Sequence, residues 1–102
     1  MDVRFKREGN TLVVMIEGEI DHHTALKARE RIDGRFLMEP VKNMIIDLSR
    51  VTFMDSAGIG LLLGRQSRVL SVGGRMIVRK PKPQINKLLK MSKIESIVES
   101  EA

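Results

Sequence analysis

Val51-Thr52-Phe53-Met54-Asp55-Ser56-Ala57-Gly58-Ile59-Gly60-Leu61-Leu62-Leu63-Gly64 carries the chain from an apolar stretch into a helical pattern. Upstream of it, Met44-Ile45-Ile46 with Leu48 after Asp47 reads as a buried strand. Continuous apolarity is expected where helices cover both faces of a sheet, or where one face is deeply packed. Downstream, Ile59, Leu62, Leu63, Gln66, Val69 and Leu70 recur at three-and-four spacing, and Val72-Gly73-Gly74 is a stop signal. The chain therefore leaves the strand Met44–Leu48, turns, and enters a helix, with Ser56 at or near the N-cap.

The same alternation extends in both directions. Leu12 to Ile16 and Met76-Ile77-Val78 read as two further buried strands, and Val3 to Arg7 pairs with the first of them through a turn at Glu8-Gly9-Asn10. Thr24 can cap a helix carrying Ala25, Ala28, Arg29 and Ile32 that closes at Asp33-Gly34. Pro83, favoured in a first helical turn, opens another helix with Ile85, Leu88 and Leu89 on one side. Ile94, Ile97 and Val98 form a last short strand or a frayed helix. The sum is one α/β domain over residues 1–102, a largely parallel mixed sheet in the order β-β-α-β-α-β-α with a weak final element.

Composition narrows the classes of function. With 42% hydrophobic and 30% charged residues the chain suits a packed domain and not a disordered one. No apolar run approaches the roughly 20 residues of a membrane span. Met1-Asp2-Val3-Arg4-Phe5-Lys6-Arg7 has no apolar segment after its charges, so no signal peptide is expected. The absence of cysteine excludes disulfides and thiolate metal sites. A cytoplasmic protein with no membrane association is the expectation. The net charge of +5 is concentrated: Arg75, Arg79, Lys80, Lys82, Lys87, Lys90 and Lys93 occur with no acid among them. Such a block can meet nucleic acid, anionic lipid or an acidic protein. All three aromatics are Phe and none lies in the block, which argues against a stacking platform for nucleic acid.

Ser56 carries the chemistry. Ala57, Gly58 and Gly60 leave its hydroxyl uncovered and let another backbone approach. Two glycines in a first turn cost about 1 kcal/mol each relative to alanine, so something other than helix stability favours them. A phosphoserine carries about −1.5 to −2 charges, and a helix N-terminus, with its free N–H groups and dipole, tolerates such an anion while the outward surface changes sign. Asp21 follows the strand end before the first helix, so parallel topology brings it near Ser56.

Other constellations are weaker. Gly58-x-Gly60-x-x-x-Gly64 with Arg79 resembles a dinucleotide fingerprint, but its third glycine is one place late and no second nucleotide-binding half exists. Adjacent His22 and His23 point in different directions and lack a third ligand, against zinc. Ser56, His22 or His23, and Asp21 can be arranged as a hydrolytic triad, yet Met54-Asp55-Ser56-Ala57-Gly58 is not a G-x-S-x-G elbow.

Gly18-Glu19-Ile20-Asp21-His22-His23-Thr24-Ala25, with Phe53-Met54-Asp55-Ser56-Ala57-Gly58-Ile59-Gly60-Leu61-Leu62-Leu63-Gly64-Arg65, resembles the anti-sigma factor antagonists of spore-forming bacteria, and the element order resembles the STAS fold. The resemblance covers nearly the whole chain, and His22-His23 favours the sporulation branch. A STAS module of a general stress pathway or another signalling assembly is the alternative within that fold. A small nucleotide- or nucleic-acid-binding domain is the alternative from another class.

The resemblance implies a binding protein and not an enzyme. The serine matching Ser56 is phosphorylated by a partner that is both anti-sigma factor and serine kinase. The unphosphorylated form binds that partner and frees the sigma factor, and a serine phosphatase resets the cycle. The aspartate matching Asp21 belongs to the partner-contact surface, which here is expected to span Asp21, His22, His23, Thr24, Asp55, Ser56, Ala57, Gly58, Ile59 and Gly60. ATP is then the kinase's substrate; no cofactor or metal is expected on this chain, nor any state beyond monomer or weak dimer. The family ends in a further helix, which in this chain is expected to be truncated or absent because Glu99-Ser100-Glu101-Ala102 falls where it would begin.

Overall fold

A computed structural model describes residues 1–94 and 99–101. The elements are β1 (Asp2–Glu8), β2 (Thr11–Ile20), α1 (Ala25–Met38), β3 (Asn43–Met54), α2 (Ser56–Ser71), β4 (Met76–Arg79), α3 (Pro83–Met91) and β5 (Glu99–Glu101). They form one mixed sheet in sequential order, β1-β2-β3-β4-β5. β1 and β2 are an antiparallel hairpin, and every later pairing is parallel. The α/β class and the order expected from sequence are those of the structure.

Sequential order has a consequence for the layers. Crossovers of one hand that all step in the same direction place their helices on the same face of the sheet. The core follows suit. Leu12, Met44 and Met76 share one row of the sheet, Val14, Ile46 and Val78 another, and all pack with Ala28, Ile32 and Phe36 of α1, Leu61, Leu62 and Val69 of α2, and Ile85 and Leu89 of α3. No described element covers the opposite face. Of the two explanations for unbroken apolar strands, one deeply packed face is the correct one.

Several boundaries differ from the sequence reading. β2 and β3 are longer, and β3 runs without a turn from Asn43 to Met54, directly before α2. α1 does not close at Asp33-Gly34 but continues to Met38, because Phe36 extends the buried stripe of Ala28 and Ile32. The stop after α2 is where it was expected. Gly73 has φ +78, and a Cβ on Gly74 would lie 1.6 Å from the Lys42 carbonyl oxygen, so backbone passes where no side chain fits.

Ile94 is buried in the core; Ile97 and Val98 lie outside the described residues. Glu99–Glu101 is not a helix start: it pairs with Ile77–Arg79 as the edge strand β5, and the Glu99 carboxylate takes a two-point contact from the Arg75 guanidinium.

Candidate functional site

The ends of β2 and β3 are neighbours in register, Ile20 opposite Met54, and the Asp55 N–H donates to the Ile20 carbonyl at 3.2 Å. The loop Asp21–Thr24 and the start of α2 therefore share one edge. β4 contributes nothing to that edge, since its last pair is Asp47 with Arg79, well below Met54.

Each loop is held by an aspartate. Asp21 Oδ1 accepts the His23 N–H at 2.9 Å and the Thr24 N–H at 3.0 Å. Partial burial raises its pKa, but those two N–H groups, the Thr24 hydroxyl and the His23 charge outweigh this and hold the carboxyl below its ordinary value. Thr24 does not cap α1 with its side chain. Its hydroxyl faces the strand instead, accepting from the Asp21 N–H at 3.0 Å and donating to the Glu19 carbonyl at 3.0 Å.

Asp55 is the N-cap of α2, its Oδ1 accepting the Ala57 N–H at 2.8 Å and its carbonyl the Gly58 N–H at 3.0 Å. Its other carboxylate oxygen lies 3.9 Å from His22 Nδ1, which ties the two loops together. The His22 and His23 rings stand against one another, centroids 4.0 Å apart, and both are exposed.

Ser56 occupies the first helical position, exposed, with no side-chain hydrogen bond among the described residues. The glycines around it divide. Gly58 is buried, and a Cβ there would fall 2.2 Å from Met54 Cγ. Gly60 is exposed and a Cβ would meet nothing within 4 Å, so only its outward face can account for it. Ala57 and Ile59 are half-buried beside them.

This geometry changes the electrostatic expectation. The Ala57, Gly58 and Ile59 N–H groups of α2 are not free for an anion, since Asp55 already accepts from them. The edge already carries the carboxylates of Asp21 and Asp55. A phosphate on Ser56 would deepen an acidic surface and project into solvent; it would not reverse a sign.

The dinucleotide constellation is not assembled among the described residues. Arg79 pairs with Asp47 at 3.6 Å along the strands, away from the α2 N-terminus, and the Gly58 side faces Met54 and not a cradle. No helix among the described residues is long and apolar enough to cross a membrane. Two features escaped the sequence reading. Arg65, buried within the apolar stripe of α2, pairs with Asp33 of α1 at 2.8 Å, and its position at core spacing was the available signal. Phe53 projects into solvent at 48% exposure, which a strand ending in an apolar run does not announce.

The STAS domain family model matches residues 2–101. The anti-sigma F factor antagonist of Paenibacillus polymyxa is 32% identical over 98 residues, covering 96% of this chain and 84% of that protein. The solved structure of the anti-sigma factor antagonist SpoIIAA in its unphosphorylated form superposes with a TM-score of 0.84 at 29% identity, covering 99% of this chain and 89% of that one. The Bacillus cell fate determinant SpoIIAA in the phosphorylated form gives 0.75 at 29% identity, with 99% and 92% covered.

Proposed function

The chain belongs to the STAS domain family, and from that premise we propose that it is an anti-sigma factor antagonist switched by phosphorylation of Ser56. The unphosphorylated form binds an anti-sigma factor that is also a serine kinase, and the sigma factor is released. Phosphorylation ends the binding, and a serine phosphatase restores it. Two relatives, at 32% and 37% identity, are named anti-sigma F factor antagonists and three others anti-sigma-B factor antagonists. With His22-His23 the former support the sporulation branch, which is the one proposed here, for a protein of the cytoplasm.

The observation that carries the reading is the state of Ser56. Its hydroxyl is exposed at the first turn of α2 with no hydrogen bond among the described residues, on an edge that carries two aspartates each fixed by backbone amides. A kinase can reach the oxygen without unfolding anything. The backbone at Gly60 is bare beside it, open to close approach by a partner. Once phosphate is added, about two negative charges join Asp21 and Asp55, and a partner surface fitted to the hydroxyl meets both bulk and repulsion.

Incubation with the kinase and ATP, read by intact mass, tests this. One phosphate is expected on Ser56 and none on Ser56→Ala. Ser56→Asp should weaken partner binding by about 1 kcal/mol or more, the scale of a lost hydrogen bond with an unmatched charge. Labelling at another residue, or unchanged affinity in calorimetry, defeats the assignment.

A further inference from the structure

β3 continues from Asp47, the last of its residues paired with β4, to Met54. Along that overhang α3 takes the place of a neighbouring strand, and a groove of about 330 Å³ opens between them. Its apolar surface comes from Phe53, Leu88 and Met91, with Ile85 beneath. Phe53 is 48% exposed and Met91 72% exposed, although both lie beside residues buried in the core. Lys87 lines the same groove, Lys90 follows one turn later, and α3 contains no acidic residue. Neither lysine has a carboxylate partner among the described residues.

From this arrangement we infer that the groove takes an acidic, amphipathic segment of the protein partner that docks on Ser56. The inference rests on the reading of Ser56 given above and adds a second contact to it. Exposed Phe53 and Met91 beside half-buried Leu88 call for apolar groups, and two lysines on a helix without acids call for carboxylates. Continuity supplies the partner: Phe53 lies three residues before Ser56, so a protein on the α2 N-terminus reaches the groove without leaving the surface. The two halves of that surface have opposite signs, Asp21 and Asp55 on one side and Lys87 and Lys90 on the other. A partner matched to both is fixed in orientation, and one turned end for end meets like charges.

The test uses the full chain and the purified anti-sigma factor kinase, titrated at low and at physiological salt. Lys87→Glu with Lys90→Glu is expected to weaken binding about tenfold at low salt and to flatten the salt dependence, while Ser56 still accepts one phosphate. A photoreactive benzoylphenylalanine at position 53 is expected to cross-link to a partner peptide of net negative charge. Unchanged affinity in the charge-reversed variant, with wild-type binding and Ser56 labelling intact, overturns the groove and leaves the Ser56 reading standing. Absence of wild-type binding overturns both. Unchanged partner affinity together with loss of binding to phosphatidylglycerol vesicles assigns the groove to lipid and overturns the inference, as does a cross-link to a basic segment.

Discussion

At Gly58 and Gly60 the same substitution has opposite consequences. A methyl on Gly58 would overlap Met54 Cγ at 2.2 Å, an atom near the root of a buried side chain, so Gly58→Ala should destabilise the protein by about 1–3 kcal/mol through overpacking. A methyl on Gly60 meets nothing, so Gly60→Ala should stabilise α2 by about 0.5–1 kcal/mol and weaken partner binding. Urea denaturation reads the first pair of values, and equal signs would contradict the packing. The sequence marked both glycines as unusual in a first turn, but it could not separate the inward one from the outward one, because that depends on where Met54 lies. Asp21 offers a pH test at the same scale. Its folded pKa is lowered, so the ionised carboxylate contributes stability that is fully present above the unfolded value of about 3.9. That contribution is lost as pH falls through the folded pKa. The denaturation midpoint of Asp21→Asn should therefore lie below wild type at neutral pH and converge with it below about pH 4. A gap that is constant with pH would mean the hydrogen bonds to His23 and Thr24 do not depend on charge.

Between elements, the contact that sequence could not supply is the one joining α1 to α2. Arg65 has 4% exposure, and Asp33 faces it at 2.8 Å, with Arg68 at 3.3 Å on the other carboxylate oxygen. Burial pulls the Arg65 pKa down while Asp33 opposes it, so the guanidinium stays charged at the expense of desolvation. The two partners are not equivalent. Asp33→Ala leaves a buried cation with no anion, and a loss of about 3 kcal/mol is expected. Arg65→Met leaves Asp33 with Arg68 and should cost less. The ranking can be read from thermal or urea unfolding of the two variants, and the reverse order would mean that Arg68 does not hold the carboxylate. The same pair explains why Asp33-Gly34 was misread as a helix end. Locally it is a stop signal, yet Asp33 is engaged by α2 and Phe36 is drawn into the core, and tertiary packing overrides the propensity. The capping at Thr24 failed because its hydroxyl is committed to the Asp21 N–H and the Glu19 carbonyl and so turns away from the first amides of α1.

Over the whole molecule, the element order and the edge shared by Asp21 and Ser56 were legible because they follow from periodicity and parallel topology, which are local or combinatorial. The one-sided covering of the sheet was not, because Val13 is 1% exposed on the uncovered face, flanked in register by Lys6 and Ile45, and thus makes Leu12 to Ile16 apolar without a helix above it. That architecture bears on how the switch works. Ser56 sits on a helix whose other side is locked by Leu61, Leu62, Val69 and the Arg65 pair, directly after a strand zipped along most of β2. With α2 and β3 held in this way, the signal should be the changed surface itself and not a rearranged fold. Backbone amide spectra of wild type and Ser56→Asp should then differ only around residues 20–24 and 53–60. Shifts that extend to β1 or along β5 would show that the charge is transmitted through the sheet, and the switch would have to be sought in a conformational change.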